Sequence, residues 1–379
     1  MIDTQKRYTL LIPGPTECPD YVLNEMSMQV LPHYESEWGE IYWEINSDLQ
    51  KVLGTNSDIF PINGSGTFSF ELCMASLLQE GDKVLAIANS AWGEGIGQAA
   101  ERFGAEVIYA QHEWYEPVHP EQLIPYFEDN NFALVVAVHH DTGSGFLNPL
   151  DEIGDVCRRF DVPFLVDAVS SVGGVPFKMD EWGVDFCCTS VQKCLDCPPG
   201  IAIVGVSNKA WKHIEKVKNI QRGRYMDLRY WRQNAIDQHD THPNMVTSAT
   251  NNLMALKASL KHILAEGLSE REAKYRKFGT FFRKGLENMG LRTKVRDEYS
   301  PLLTYVVLPD GIDSKEPRDF LRFKYNILTG VEFRFAHFGS QVSYNYLTLG
   351  LVGIEDFLRQ KGIKMPSENI LEGLEELRS

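Results

Sequence analysis

From about residue 58 to residue 205, short and almost wholly apolar runs alternate with amphipathic stretches. The apolar runs cover residues 83–87, 106–109, 134–138, 163–166, 184–188 and 201–204. Strands that read as continuous apolar blocks are those buried on both faces of a mostly parallel sheet, with the intervening helices forming the covering layers. The pattern predicts an α/β lobe. A polar stretch follows from Asn219 to Thr250 and reads as an extended connection able to cross a subunit interface. Helical periodicity then runs from Asn251 to Met289, with an interruption at Glu266-Gly267. A strand at 302–308, a helix from Glu316 to Tyr325, a helix starting after Val352-Gly353 and another from Glu368 to Leu377 complete a smaller α+β lobe. The expected organisation is an N-terminal segment (1–20) packed near the site, a large lobe (21–250) and a small lobe (251–379).

Composition narrows the class of molecule. A chain of 379 residues is long enough for two lobes, because single cores stop growing near ~250–300 residues. A net charge of -15 argues against nucleic-acid and anionic-membrane partners. No apolar stretch approaches the ~20 residues a membrane helix requires, and the N-terminus lacks the apolar core of a signal peptide. Seven cysteines fit reduced thiols in a cytoplasmic protein. The pair Cys194 and Cys197 invites a metal or redox reading, but they fit small-residue positions of a motif better, and no metal is expected.

In an open parallel sheet, ligands bind beyond the carboxyl ends of the strands. Thr142, Asp167 and Lys193 all fall there. A lysine at the end of a buried strand has a desolvated amine, which makes it a usable nucleophile. The segment Asn63-Gly64-Ser65-Gly66-Thr67 reads as a Gly-rich turn opening a helix, where backbone N–H groups and the helix dipole favour a phosphate. Trp92, after another strand, offers a face for a flat ring. Lysine, aspartate and anion-binding turn together point to pyridoxal 5'-phosphate (PLP). Asp167 would keep the pyridine nitrogen protonated, and Lys193 would hold the aldehyde and act as acid and base.

The motifs Pro13-Gly14-Pro15, Gly64-Ser65-Gly66-Thr67, Ala91-Trp92-Gly93, Thr142-Gly143-Ser144-Gly145, Val166-Asp167-Ala168-Val169-Ser170 and Ser190-Val191-Gln192-Lys193 occur in the order of the class V aminotransferases. The chain resembles the alanine–glyoxylate and serine–pyruvate branch of that fold type I family. The resemblance implies a large lobe with a mostly parallel, seven-stranded-type sheet. It implies that Ser65, Gly66 and Thr67 bind the phosphate, Trp92 and Val169 pack on the ring, and Thr142 contacts the ring hydroxyl or substrate. It also implies that Gln192 supports the phosphate or ring hydroxyl, that Gly14 borders the substrate, and that Thr247 reaches the partner's phosphate in a homodimer.

Two positions depart from the family pattern. Asn244 replaces a common tyrosine, and Thr348 falls where relatives carry the arginine that grips the substrate carboxylate. Arg334 is the first substitute, with Arg224 and Arg222 behind it. The expected activity is transfer of an amino group from a small amine or amino acid to a 2-oxo acid, pyruvate or glyoxylate. The alternatives are a donor without an α-carboxylate, such as aminoethylphosphonate, and a PLP lyase. A cysteine desulfurase would need a mobile-loop thiol in the C-terminal half, and no cysteine follows Cys197. A scaffold that kept only the fold is disfavoured because Lys193, Asp167 and Gln192 are all present.

Overall fold

A computed structural model describes residues 3, 5–218, 222–295, 300–367 and 369–378. Its centre is a seven-stranded sheet. The strands in chain order are β1 (Asp58–Gly64), β2 (Lys83–Ala88), β3 (Glu106–Gln111), β4 (Leu134–Val138), β5 (Phe164–Asp167), β6 (Phe186–Ser190) and β7 (Gly200–Val206). They lie in the spatial order β1-β7-β6-β5-β4-β2-β3, and only β7 runs antiparallel to its neighbours. Six of the seven strands match apolar runs in the sequence. The seventh, β1, contains Pro61 and ends in Asn63-Gly64, which reads as a turn. It forms because it is an edge strand paired only with β7, where a residue without an N–H is tolerated.

Side chains alternate across the sheet with a period of two. Leu85, Ile87, Val135, Val166 and Ile203 face helices Ser36–Leu53 and Thr250–Glu266. Val84, Ala86, Val136, Leu165 and Val204 face helices Gly66–Leu77 and Leu228–Asp237. Both faces are therefore dry, which accounts for the unbroken apolar runs. A third apolar cluster packs helices Leu268–Asn288, Lys315–Tyr325 and Tyr344–Gln360 on a small antiparallel sheet of Arg292–Thr293, Leu303–Val307 and Arg334–Ala336. Strand Thr9–Leu11 joins this smaller lobe by pairing in parallel with Ile327–Thr329.

Three sequence expectations change. The final long helix starts at Tyr344, capped by the Ser343 hydroxyl, and passes through Gly350 and Gly353. These glycines are close-packing positions, not breakers: a Cβ at Gly350 would stand 3.1 Å from Leu11, and one at Gly353 would collide with Leu321. The stretch expected to be a helix from Glu368 to Leu377 forms turns and a short 3-10 turn, Glu376–Arg378, while Glu368 lies outside the described residues. The stretch read as an extended connection begins outside the described residues, at Asn219. It then folds into helix Leu228–Asp237, capped by Asp227 and buried along Leu228, Trp231 and Ala235. Its apolar stripe is too narrow to stand out from the surrounding arginines and asparagines.

The two lobes are tied at the loop after β6. Arg271, on helix Leu268–Asn288, donates to Asp196 (2.5 Å), to the Cys194 carbonyl (2.9 Å), to the Gly173 carbonyl (2.8 Å) and to Glu266 (2.7 Å). Asp196 accepts from the Ser340 backbone N–H (3.0 Å) and from the Ser340 hydroxyl. Arg271 and Asp196 are both essentially inaccessible. Removing one partner strands a buried charge, so Arg271→Met is expected to cost about 3–5 kcal/mol. Chemical denaturation will measure it, and a loss below about 1 kcal/mol would show that the pair does not hold the lobes.

Candidate active site

A cavity of about 210 Å³ opens at the carboxyl edge of β2, β4, β5 and β6. Helix Gly66–Leu77 points its N-terminus into it. The Ser65 hydroxyl caps that helix by accepting from Phe68 N (3.3 Å), while Gly66 and Thr67 supply first-turn N–H groups at the positive end of the dipole. Glycine is required at residue 66, because a Cβ would stand 2.5 Å from Val169 Cγ2 and 3.0 Å from Ser190 Oγ. Trp92 lines the cavity from the first turn of helix Ala91–Arg102, capped by Ser90 (3.2 Å). Trp92 is 53% exposed, which leaves its ring available to a flat ligand.

Strand β4 leads into a small hairpin of His140–Asp141 and Phe146–Leu147 whose turn carries Thr142 to the cavity. Asp167 ends β5 with Oδ1 accepting from Val169 N (2.9 Å). Burial raises its pKa from 3.8 to about 6, opposed by the Val169 N–H and by Lys193 and aided by Asp141. Lys193 follows β6. Burial pushes its amine below the usual 10.5, Arg334 adds to this, and Cys194 and Asp167 oppose it. A larger fraction of the amine is therefore uncharged and nucleophilic near neutral pH.

The N-terminal segment crosses this amine. Lys193 Nζ donates to the Pro13 carbonyl, and Thr16 binds the carbonyls of Gln192 (3.0 Å) and Lys193 (2.9 Å). Gly14 has φ +115°, and a Cβ there would lie 2.5 Å from Lys193 Nζ. Any side chain at residue 14 would therefore displace the Lys193 amine.

Arg334 is not itself in the cavity lining, but it reaches the cavity's edge at Thr142 and acts electrostatically on Lys193. Its Nη1 donates to the carbonyl of Thr142 and its Nε to Val331 O (2.8 Å). Thr348 sits on helix Tyr344–Gln360 and is not among the cavity residues. Arg222 is spent on the carbonyls of Met74 (3.3 Å), Ala75 (3.0 Å) and Phe103 (3.0 Å), closing a helix end, while Arg224 lies over Tyr230 (5.6 Å). Thr247 is exposed and outside the cavity lining, but its carbonyl accepts from Asn63 Nδ2 (2.8 Å) beside the Ser65 turn. Asn244 is buried and accepts from Trp38 Nε1 (3.1 Å), so its side chain serves the helix packing of its own chain.

Sequence reasoning missed Phe70 and Val138 on the cavity wall and the Pro13 carbonyl. Phe70 lies one helical turn beyond Thr67, a spacing that could have found it, whereas a backbone oxygen carries no sequence signal. His140 both lines the cavity and pairs its Nδ1 with Ser170 O (3.1 Å). Because that oxygen can only accept, Nδ1 bears the proton, and burial lowers the ring's pKa to about 4. The thiols of Cys194 and Cys197 bond the carbonyls of Ser170 (3.6 Å) and Leu195 (3.2 Å).

A family model described as Aminotransferase class-V matches residues 10–330. An uncharacterized aminotransferase of Methanocaldococcus jannaschii is 32% identical, over 98% of this chain and 99% of its own length. Alanine–glyoxylate aminotransferase of Drosophila melanogaster is 30% identical, over 84% of this chain and 82% of its own. The crystal structure of ureidoglycine–glyoxylate aminotransferase from Bacillus subtilis superposes with a TM-score of 0.91 at 28% identity, covering 99% of each chain.

Because Asp167 titrates near 6 when folded and near 3.8 otherwise, the folded state holds its proton more tightly. The stabilisation is complete below pH ~4 and is lost as pH rises through ~6, a difference of about 3 kcal/mol. Ligand-free Asp167→Asn should therefore exceed the parent in stability at pH 7 by up to about 3 kcal/mol and converge with it below pH ~4. Denaturation midpoints across that range test this, and a pH-independent difference would contradict it.

Proposed function

Because this chain belongs to the class-V aminotransferases, we propose that it transfers an amino group from a small carboxylate-bearing amine donor to glyoxylate or pyruvate. It is a PLP-dependent aminotransferase of fold type I. The observation that carries the substrate reading is that Lys193 and Asp167 line one cavity whose wall residue Thr142 is bonded through its carbonyl by Arg334, an arginine coming from the smaller lobe. With Arg334 there, the feature that favoured a donor without a carboxylate loses its weight.

The cavity's donor set fits the cofactor. Gln192 Oε1, Ser190 Oγ and His140 Nε2 are buried without a hydrogen-bond partner, the condition expected of groups that border a polar ligand. When bound, the cofactor supplies an electrophilic aldehyde and a protonated ring that accepts the electrons of the broken bond. The Ser65 hydroxyl and the N–H groups of Gly66 and Thr67 would hold the phosphate, aided by Gln192. Trp92 and Val169 would flank the ring, Thr142 would be available to its hydroxyl, and Asp167 would keep a proton on its nitrogen. Lys193 Nζ would hold the aldehyde carbon. When Nζ is free, its lowered pKa lets it take the α-proton of the donor, and the Pro13 carbonyl steadies the resulting ammonium. Arg334 orients the substrate carboxylate, and Gly14 keeps the path to Nζ open.

This reading includes a homodimer in which Thr247 of each protomer completes the phosphate end of the other site. Exposure of Thr247 beside the pinned Asn63 supports it. The organisation that accompanies it is an N-terminal segment (1–20), a large lobe (21–250) and a small lobe (251–379), with helix Thr250–Glu266 as the bridge whose apolar face joins the large lobe's core. A cytoplasmic location is supported by the buried free thiols. Among the described residues, no helix is long and apolar enough to cross a membrane.

The test is a half-reaction panel followed by absorbance, with PLP-loaded protein and amines with and without a carboxylate. Carboxylate donors should convert the cofactor to its amine form and release one carbonyl product per site. Lys193→Ala should lose the visible band of the loaded enzyme. Arg334→Gln should raise the KM for carboxylate donors about 10–100-fold. Elimination products with the starting cofactor spectrum restored would instead identify a lyase.

A further inference from the structure

Two consecutive non-glycine residues immediately before Arg334 have left-handed backbones: Glu332 at φ 60° and Phe333 at φ 63°. For a bulky aromatic this is a genuine outlier, and each such residue costs on average a measurable part of the stability. The turn is nevertheless closed at both ends. Gly330 N donates to Arg334 O (2.8 Å), and Arg334 N donates back to Gly330 O (3.4 Å).

Phe333 is fixed from two sides. It is fully buried, packs edge-on against Phe335 (4.9 Å), and its carbonyl accepts from Val306 N (3.2 Å). Glu332 has no such burial, so its conformation serves only to route the chain. The routing brings the Val331 carbonyl to Arg334, whose Nε donates to it (2.8 Å). The large lobe supplies a second carbonyl, that of Thr142, to Nη1. Among the described residues, no carboxylate pairs with this guanidinium. Of its five N–H donors, those on Nη2 therefore remain directed elsewhere.

We propose that the strained 330–334 turn is a positioning device for carboxylate recognition, in which Glu332 and Phe333 aim the Val331 carbonyl so that Arg334 is oriented before the substrate arrives. The inference rests on the reading of Arg334 as the carboxylate anchor. A guanidinium clamped by two backbone carbonyls loses little further rotamer freedom on binding, so the turn's strain is exchanged for affinity. Glu332 and Phe333 act through Arg334 and touch no reacting atom.

The test uses the PLP-loaded full chain with alanine as carboxylate donor and benzylamine as a donor without one. Glu332→Pro forces φ to about -65° and cannot keep the turn. Its KM for alanine should rise at least about 10-fold, with kcat at saturation, cofactor absorbance and the benzylamine half-reaction rate retained. Glu332→Gly, which adopts a positive φ freely, should recover most of that loss and melt about 1–2 °C higher than the parent. Should the proline variant fail to fold, Glu332→Val, which opposes the left-handed region less severely, should raise the same KM severalfold with kcat retained. An alanine KM within twofold of the parent in the folded proline or valine variant overturns the inference. Arg334→Lys separates the two levels. If it leaves the alanine KM unmoved, the carboxylate anchor itself is wrong. If it raises that KM while the Glu332 variants do not, only the turn's role falls.

Discussion

A lysine amine whose pKa burial lowers must be held in a cleft that two lobes share, and the buried pair of Arg271 and Asp196 holds the loop that carries it. Asp196 lies three residues after Lys193 and has φ 56°. Its carboxylate collects Arg271 and Ser340 from the smaller lobe, and Arg271 also binds the Cys194 and Gly173 carbonyls of the larger one. An ion pair out of water is worth keeping only when its remaining donors and acceptors are satisfied. Here the guanidinium meets two carboxylates and two carbonyls, so the loop has a single low-energy position. Lys193 inherits that position.

The chemistry follows from what converges on the fixed amine. The sheet delivers Asp167 and the Gly66 turn from its carboxyl edge, the direction in which open parallel sheets expose their loops. The N-terminal segment is paired to the smaller lobe at Thr9–Leu11, then brings the Pro13 carbonyl to Nζ. Arg334 arrives from the smaller lobe's own sheet and binds the Thr142 carbonyl across the gap. Burial sets the electrostatics: it lowers the amine and raises the carboxyl. A cationic ring nitrogen beside Asp167 would restore that carboxylate, which is how an apolar wall can select a protonated pyridine.

Much of this was legible in the chain because strands buried on both faces leave continuous apolar runs, and because Lys193, Asp167 and Thr142 follow such runs directly. Strand β1 escaped notice since Pro61 and Asn63-Gly64 signal a turn unless the strand is known to lie at an edge. Gly350 and Gly353 misled the placement of the last helix: a glycine that lets Leu11 or Leu321 pack closely looks the same in sequence as one that breaks a helix. The family resemblance placed Thr348 where relatives carry an arginine and left Arg334 as the first substitute; what the sequence does not encode is the long-range pairing with Tyr305 on a three-stranded sheet that positions Arg334. The Pro13 carbonyl and the Arg271 network are likewise products of tertiary contact.

The most direct measurement is to load the protein with PLP, reduce it with borohydride, digest it and locate the cofactor by peptide mass spectrometry. The account predicts a single stable adduct, on Lys193, in near-stoichiometric yield. An adduct on a different lysine, or none in protein that holds the cofactor, would contradict it.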